Sequence, residues 1–221
     1  MKCLNRYGAD FLDIQGDGGF GLFWGEKAHE RALCSAITLK TFSVKWVERL
    51  IAQFGEELPE TGFKLGMHSA RTLVKKLGTL RNQDEQEAVW AGKPINYAYK
   101  CAQSSDAHVL VVTEKVFEKF KNNDYVVYSC GCAEDVDPSN KLWSEATIPN
   151  LPEDENTVYA VMSPWCVNCG PSFAEAIMNG KTNRDDVTQL ERQEQAEKMA
   201  RALERKKEKV RKAKQDSLHR P

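Results

Sequence analysis

The sequence predicts an α+β fold, with a sheet carrying helices on one face, a small cysteine-rich unit after it and a charged helical tail. Three observations predict it. Short apolar runs come in neighbouring pairs, longer segments between them carry apolar residues at helical spacing, and four cysteines cluster between positions 130 and 169. With 221 residues, a formal net charge of -1 and 41% hydrophobic residues, the chain has an ordinary globular composition. Its length suits one domain of about 150 residues plus appendages. No apolar run is long enough to cross a bilayer, and the opening "MKCLNRYGADF" has no signal-peptide core. A cytoplasmic location without a membrane partner is therefore expected.

Taken in order, Phe11 to Gln15 and Phe20 to Trp24 read as strands closed by the turn Gly16-Asp17-Gly18-Gly19. Residues 26–54 then place apolar side chains at Ala32, Leu33, Ala36, Ile37, Phe42, Trp46, Val47, Leu50 and Ile51. That periodicity is helical, read as two helices broken near Thr41 to Ser43. "FKLGMHSA" alternates as a strand, "RTLVKKLG" extends or returns from it, and "AVWAG" follows the polar "TLRNQDEQE". "INYAYKCAQSS" reads as a helix starting at or just past Pro94, because proline suits a first turn. "HVLVVT" is a buried-strand run and "EKVFEKFKN" another helix. From Tyr125 to Ile177 the character changes, with the cysteines, three prolines between Pro138 and Pro152, and Trp143 and Trp165 suggesting a second small unit beside the first. From Asp185 onward strong helix formers with few apolar residues predict a solvated helix fraying at "QDSLHRP". The expected division is 1–122, 123–182 and 183–221.

By itself, Asp17 between glycines is a turn former. Its surroundings give it a second meaning. "DIQGDGGFGLFWG", "LGMHSARTLVKKLG" and "VWAGKPINYAYKCA" resemble, in order and spacing, the catalytic domain of the class III nucleotidyl cyclases over roughly Phe11 to Phe120. The resemblance implies a ferredoxin-like sheet. It implies that Asp17, at the family's hairpin "GD", is one of two aspartates that bind a pair of Mg2+ or Mn2+ ions in each active site. The family's "GIHTG" strand is matched by Gly66-Met67-His68-Ser69-Ala70, with the second glycine lost. In the segment written G-x-x-V-N-x-A-x-R, this chain reads Gly92-Lys93-Pro94-Ile95-Asn96-Tyr97-Ala98-Tyr99-Lys100. Asn96 thus takes the place of the residue that orients the ribose, and Lys100 that of the arginine that stabilises the transition state. Seen singly, Asn96 also fits a helix decoration and Lys100 a surface lysine.

The implied chemistry suits these residue types. Cyclisation needs in-line attack of the ribose 3′ oxygen on the α-phosphate as pyrophosphate leaves, and two metals serve the nucleophile and the leaving group. A cation near the α-phosphate stabilises the charge spreading onto its oxygens. Asn96 and Lys100, four apart, share one helix face. Lysine keeps the charge of the family's arginine and loses its planar fork. The family's first metal aspartate lies on a strand well before the hairpin, whereas this chain begins sixteen residues before Asp17. Asp10 and Asp13 are too close to replace it, so a longer protein with a preceding segment is expected.

Family members acting on ATP read adenine with a lysine three residues before the hairpin glycine and an aspartate three before the later one. Here those positions are Asp13 and Val89. A carboxylate accepts from uracil N3–H, the cytosine amine, or guanine N1–H and amine, and valine offers no polar partner to a guanine edge. A pyrimidine triphosphate, UTP ahead of CTP, is the expected substrate, with a purine as the alternative; Asp13 also fits a plain strand carboxylate. The "VWAGKPIN" wording and the cysteine-rich tail look like the bacterial Pycsar cyclases, which make cyclic UMP or cyclic CMP as an anti-phage signal. In the family the active site lies between two subunits. A homodimer is therefore implied, one chain offering Asp17 and its partner Asn96 and Lys100.

Cys130-Gly131-Cys132 and Cys166-Val167-Asn168-Cys169 form a C-x-C and a C-x2-C separated by 33 residues. Two close thiolate pairs suit a tetrahedral, structural zinc, the alternative being cysteine as a small buried hydrophobe. Cys3, Cys34 and Cys101 carry no pattern. Arg201 to Lys214 holds eight basic residues against two acidic ones. Without interleaved aromatics it reads as a solvated helix, and nucleic acid is not an expected partner. Two further readings stay open: a non-catalytic cyclase fold serving as nucleotide sensor or dimerising scaffold, and a zinc-dependent nucleic-acid module.

Overall fold

The computed structural model describes residues 2–55, 61–78, 86–132, 138, 140–162, 165–189 and 201. A short helix α1 (Lys2–Arg6) leads into a hairpin of β1 (Phe11–Gln15) and β2 (Gly18–Leu22). The strands pair antiparallel with Gln15 opposite Gly18, so the loop is only Gly16 and Asp17. Gly16 takes φ 62°, the glycine-first arrangement favoured in two-residue hairpin loops. Strand β2 therefore starts two residues earlier than its sequence suggests.

Helix α2 (Ala28–Phe54) runs unbroken for 27 residues, in place of the expected pair. The polar stretch that read as a break is absorbed by side-chain bonding. Thr41 Oγ1 donates to the Ile37 carbonyl at 2.9 Å, while Ser43 Oγ, buried, accepts from the Phe63 N–H at 2.8 Å and meets His108 Nδ1 at 2.9 Å. A hydroxyl bonded to the i−4 carbonyl, or to a partner outside the helix, is compatible with a continuous helix.

Strands β3 (Leu65–Met67), β6 (Leu110–Thr113), β7 (Trp143–Thr147) and β8 (Thr157–Val161) form one sheet in the order β3-β6-β8-β7. The first pair is parallel and the others antiparallel. Strands β4 (Leu73–Gly78) and β5 (Gln86–Ala91) make a separate antiparallel ribbon. Of the expected polar connection 79–87, residues 79–85 lie outside the described residues, while Gln86 and Glu87 already pair within β5. Helix α3 (Lys93–Gln103) follows β5, and the short helices α4 (Glu114–Phe117) and α5 (Asp124–Val127) follow β6. Helix α6 (Gly170–Met178) follows β8.

The α+β class holds, but helices occupy both faces of the sheet. Strand residues alternate in direction, and all four of β6 are buried. Leu110 and Val112 join Leu33 and Ile37 of α2 and Phe173 and Ile177 of α6. Val111 joins Tyr97 and Cys101 of α3 on the other side. A strand covered on both faces reads as a continuous apolar run, which is why "HVLVVT" is legible.

The cysteine-bearing segment does not stand beside the sheet. It completes it, since β8 pairs with β6 and α6 packs into the same core as α2. The start of the expected tail is also fastened. Arg184, 5% exposed, donates to the Ser129 carbonyl at 2.7 Å, pairs with Asp186 and lies 4.8 Å from the Phe173 ring centre, and Val187 is buried. The rest of the tail, apart from Arg201, lies outside the described residues. Among the described residues no helix is long and apolar enough to cross a membrane.

Candidate functional site

The hairpin holds Asp17 exposed at its tip. Its base is clamped to α2 by Arg31, which pairs with Asp10 at 3.1 Å and donates to the carbonyls of Gly8, Trp24 (2.5 Å) and Glu26 (3.1 Å). Asp10 also accepts the Trp24 N–H at 2.8 Å. Asp10 is thus a structural carboxylate. Asp13 sits on β1 opposite Phe20, and Val89 on β5 opposite Lys75 with its side chain exposed. Trp90 lies 4.8 Å from Phe11 and 5.9 Å from Trp24 between ring centres, which lays the hairpin carrying Asp13 against the strand carrying Val89.

Helix α3 starts just after Gly92, with proline in its first turn and no side-chain cap. Its outer face forms an open groove of about 450 Å3 lined by Lys93, Asn96, Tyr97, Tyr99, Lys100 and Gln103. The expected pair, Asn96 and Lys100, therefore opens onto one surface. Behind it, α3 presses on β3 at Gly66. A Cβ there would stand 2.7 Å from Ala102 N and 2.9 Å from the Ala98 carbonyl carbon, so only glycine allows this approach. Among the described residues, Asp17 makes no hydrogen bond or ion pair with Asn96 or Lys100.

Beneath the groove lies a polar network that the sequence did not signal. Glu155, from the loop between β7 and β8, accepts from Lys93 Nζ at 2.5 Å and from the Tyr97 hydroxyl at 2.6 Å through one oxygen. The Lys93 hydrogen bond, and after it that of Tyr97, hold the Glu155 carboxyl below its usual range. The Tyr97 ring lies 4.8 Å from that of His68, whose Nδ1 meets Thr113 Oγ1 at 2.9 Å. Burial, with Lys115 adding to it, pushes the His68 pKa down to about 4, so the ring is neutral near pH 7. Nothing in "PEDEN" distinguishes Glu155 from its acidic neighbours in a solvent turn.

Cys130, Cys132, Cys166 and Cys169 do meet. Their sulfurs lie within 4.8 Å of one another, and Cys132 Sγ is 3.4 Å from Cys169 Sγ. Tetrahedral zinc at about 2.3 Å from each thiolate requires sulfurs about 3.8 Å apart, so the donor set and spacing fit a metal. Cys166 is held below the ordinary thiol pKa by the backbone N–H groups of Cys169 and Asn168. The knuckle turns are backbone-specified: Gly131 has φ 65°, and the Gly170 N–H bonds the Cys166 carbonyl at 2.7 Å. Cys34 and Cys101 instead belong to the core, and burial pushes both thiols up to about 12. Asp17 is not gathered with two further histidines, cysteines or carboxylates among the described residues.

No family model matches the chain. It is 52% identical over 206 residues, 93% of its length, to a protein of Propioniciclava tarda named uridylate cyclase. It is 40% identical over 190 residues, 85% of its length, to a uridylate cyclase of Micromonospora echinofusca. The chain spans 66% and 61% of those two relatives. Among solved structures, the adenylyl cyclase CyaB from P. aeruginosa superposes with a TM-score of 0.52 at 15% identity, covering 73% of this chain and 76% of that one. At that identity the likeness bears on fold, and the fold is the one the hairpin, the Gly66 strand and α3 reproduce here. Over most of its length the chain is thus similar to relatives named uridylate cyclase, and it shares the fold of a solved adenylyl cyclase, as the class III cyclase resemblance implies.

Proposed function

We propose that this chain is the catalytic part of a pyrimidine nucleotidyl cyclase that converts UTP to 3′,5′-cyclic UMP and pyrophosphate. The observation that carries the reading is the 52% identity over 206 residues to a uridylate cyclase. The groove supports it, because Asn96 and Lys100 share the exposed face of α3. In this reading the Asn96 amide holds the ribose so that its 3′ oxygen faces the α-phosphate, which is orientation rather than proton transfer. The Lys100 ammonium faces the α-phosphate oxygens as charge builds on them. Asp13, on the strand laid against β5, accepts the uracil N3–H. Asp17 supplies a carboxylate ligand to Mg2+ or Mn2+, ions that lower the charge on the triphosphate and activate the attacking oxygen when bound. The groove holds Lys100 and the hairpin tip holds Asp17, so we propose a homodimer in which the two come from different subunits. The four-cysteine cluster is proposed as a structural zinc site, its four positions filled by protein. Production of an anti-phage signal is the proposed biological role.

The test is incubation of full-length protein with each of the four nucleoside triphosphates and Mn2+, beside Asp17→Ala. Cyclic UMP from wild type and none from the variant is the expected result. Because Asp17 is exposed in a loop, Asp17→Ala should unfold within about 0.5 kcal/mol of wild type. No cyclic product from any nucleotide would favour the scaffold reading instead.

A further inference from the structure

We infer that Glu155 is a positioning residue for cyclisation: by holding Lys93 and Tyr97 on one carboxylate oxygen, it sets the face of α3 that presents Asn96 and Lys100. The inference rests on the cyclase reading above. Helix α3 has no side-chain cap at Gly92, and uncapped first turns fray. Glu155 restrains that turn from outside. It reaches Lys93, the first helical residue, at 2.5 Å and Tyr97, one turn on, at 2.6 Å. Asn96 lies between them.

The loop that brings Glu155 there is not free to drift. Ile148 and Leu151 are buried in the same cluster as Tyr97 and Cys101 of α3. The Glu155 N–H closes a turn onto the Pro152 carbonyl at 2.9 Å. Residues 93, 97 and 100 form one stripe along the helix. The ammonium groups of Lys93 and Lys100 lie 5.3 and 5.7 Å from the centre of the Tyr97 ring, so a shift of Tyr97 is felt at Lys100. Glu155 also neutralises Lys93. Lys100 has no carboxylate partner among the described residues, which leaves it as the groove's uncompensated cation.

The experiment uses full-length protein carrying Glu155→Gln, Glu155→Asp, Tyr97→Phe and the Gln/Phe double substitution. It measures UTP cyclisation with Mn2+ and amide hydrogen exchange across residues 93–103. Glu155→Gln is expected to lower kcat on the order of 10-fold or more and to speed exchange in the first turns of α3. KM should stay level or fall, because the released Lys93 faces an anionic substrate. Glu155→Asp should recover part of the loss, and the double variant should be no slower than Glu155→Gln, since the carboxylate acts through Tyr97. An active wild type with Glu155→Gln at wild-type kcat, or with unchanged exchange in α3, overturns this inference alone. A loss explained wholly by a smaller folded fraction overturns it too, with Glu155→Asp judged in its place if the Gln variant does not fold. Wild type without cyclic product overturns the cyclase reading and this inference together.

Discussion

Gly66→Ala isolates the contact that seats the helix carrying the proposed site residues. The added Cβ would stand 2.7 Å from Ala102 N and 2.9 Å from the Ala98 carbonyl carbon, and it meets the Ala98 carbonyl oxygen as well. All three are backbone atoms of α3, so no side chain can rotate away. Ordinary contact of a carbon with backbone polar atoms begins at about 3.3 Å, so α3 must retreat by at least roughly 0.6 Å at Ala102. With the carbonyl in the way the shift is on the order of 1 Å. Overpacking of this kind costs about 1–3 kcal/mol, which for a chain this size lowers Tm by roughly 2–12 °C. Asn96 and Lys100 flank Ala98 by two residues on each side and move with it. A misplacement of about 1 Å costs on the order of 10²-fold in rate. The assay is kcat for UTP cyclisation beside thermal unfolding of the same preparation. Wild-type kcat together with wild-type Tm would refute the claim that the seat of α3 on β3 positions the site.

Two further outcomes follow from the cysteine cluster and from His68. Purified protein should contain one zinc per chain by elemental analysis, and Cys132→Ser should lose it at a cost of several kcal/mol, on the order of 10 °C in Tm. A metal-free wild type, or a serine variant of undiminished Tm, would remove the zinc site. For His68, the folded pKa of about 4 lies below the unfolded value of about 6.5, so between those values the unfolded chain binds the proton that the folded chain refuses. The contribution of a neutral His68 is thus complete above about pH 6.5 and is lost as pH falls toward 4. His68→Gln should flatten denaturant-unfolding stability across that window, and an equally steep slope in the variant would place the proton elsewhere.

The parts legible in the sequence are those specified locally. The hairpin shows because β-alternating residues flank a glycine turn, and α3 shows because proline precedes a helical run. Asn96 and Lys100 could be paired because four residues bring a helix back to the same face. Where the reading departs from the fold, the deciding partner is distant in the chain. Thr41 and Ser43 read as a break, yet Ser43 is occupied by Phe63 and His108, 20 and 65 residues away. Residues 143–161 read as part of a second unit because cysteines flank them and prolines interrupt them, yet β8 finds its partner in β6. Glu155 carried no signal at all, since its donors are 58 and 62 residues distant.

The sequence by itself determined the hairpin and helix that carry the proposed site, the thiolate pairs and the cyclase resemblance, because period, turn chemistry and residue type are written along neighbouring positions. Only the tertiary structure decided that the cysteine segment completes the sheet, that four sulfurs converge, and that Glu155 and Gly66 both seat α3, one by hydrogen bonds and one by close approach. Packing between segments far apart in the chain settles those contacts, and burial, steric fit and charge pairing depend on what lies across space.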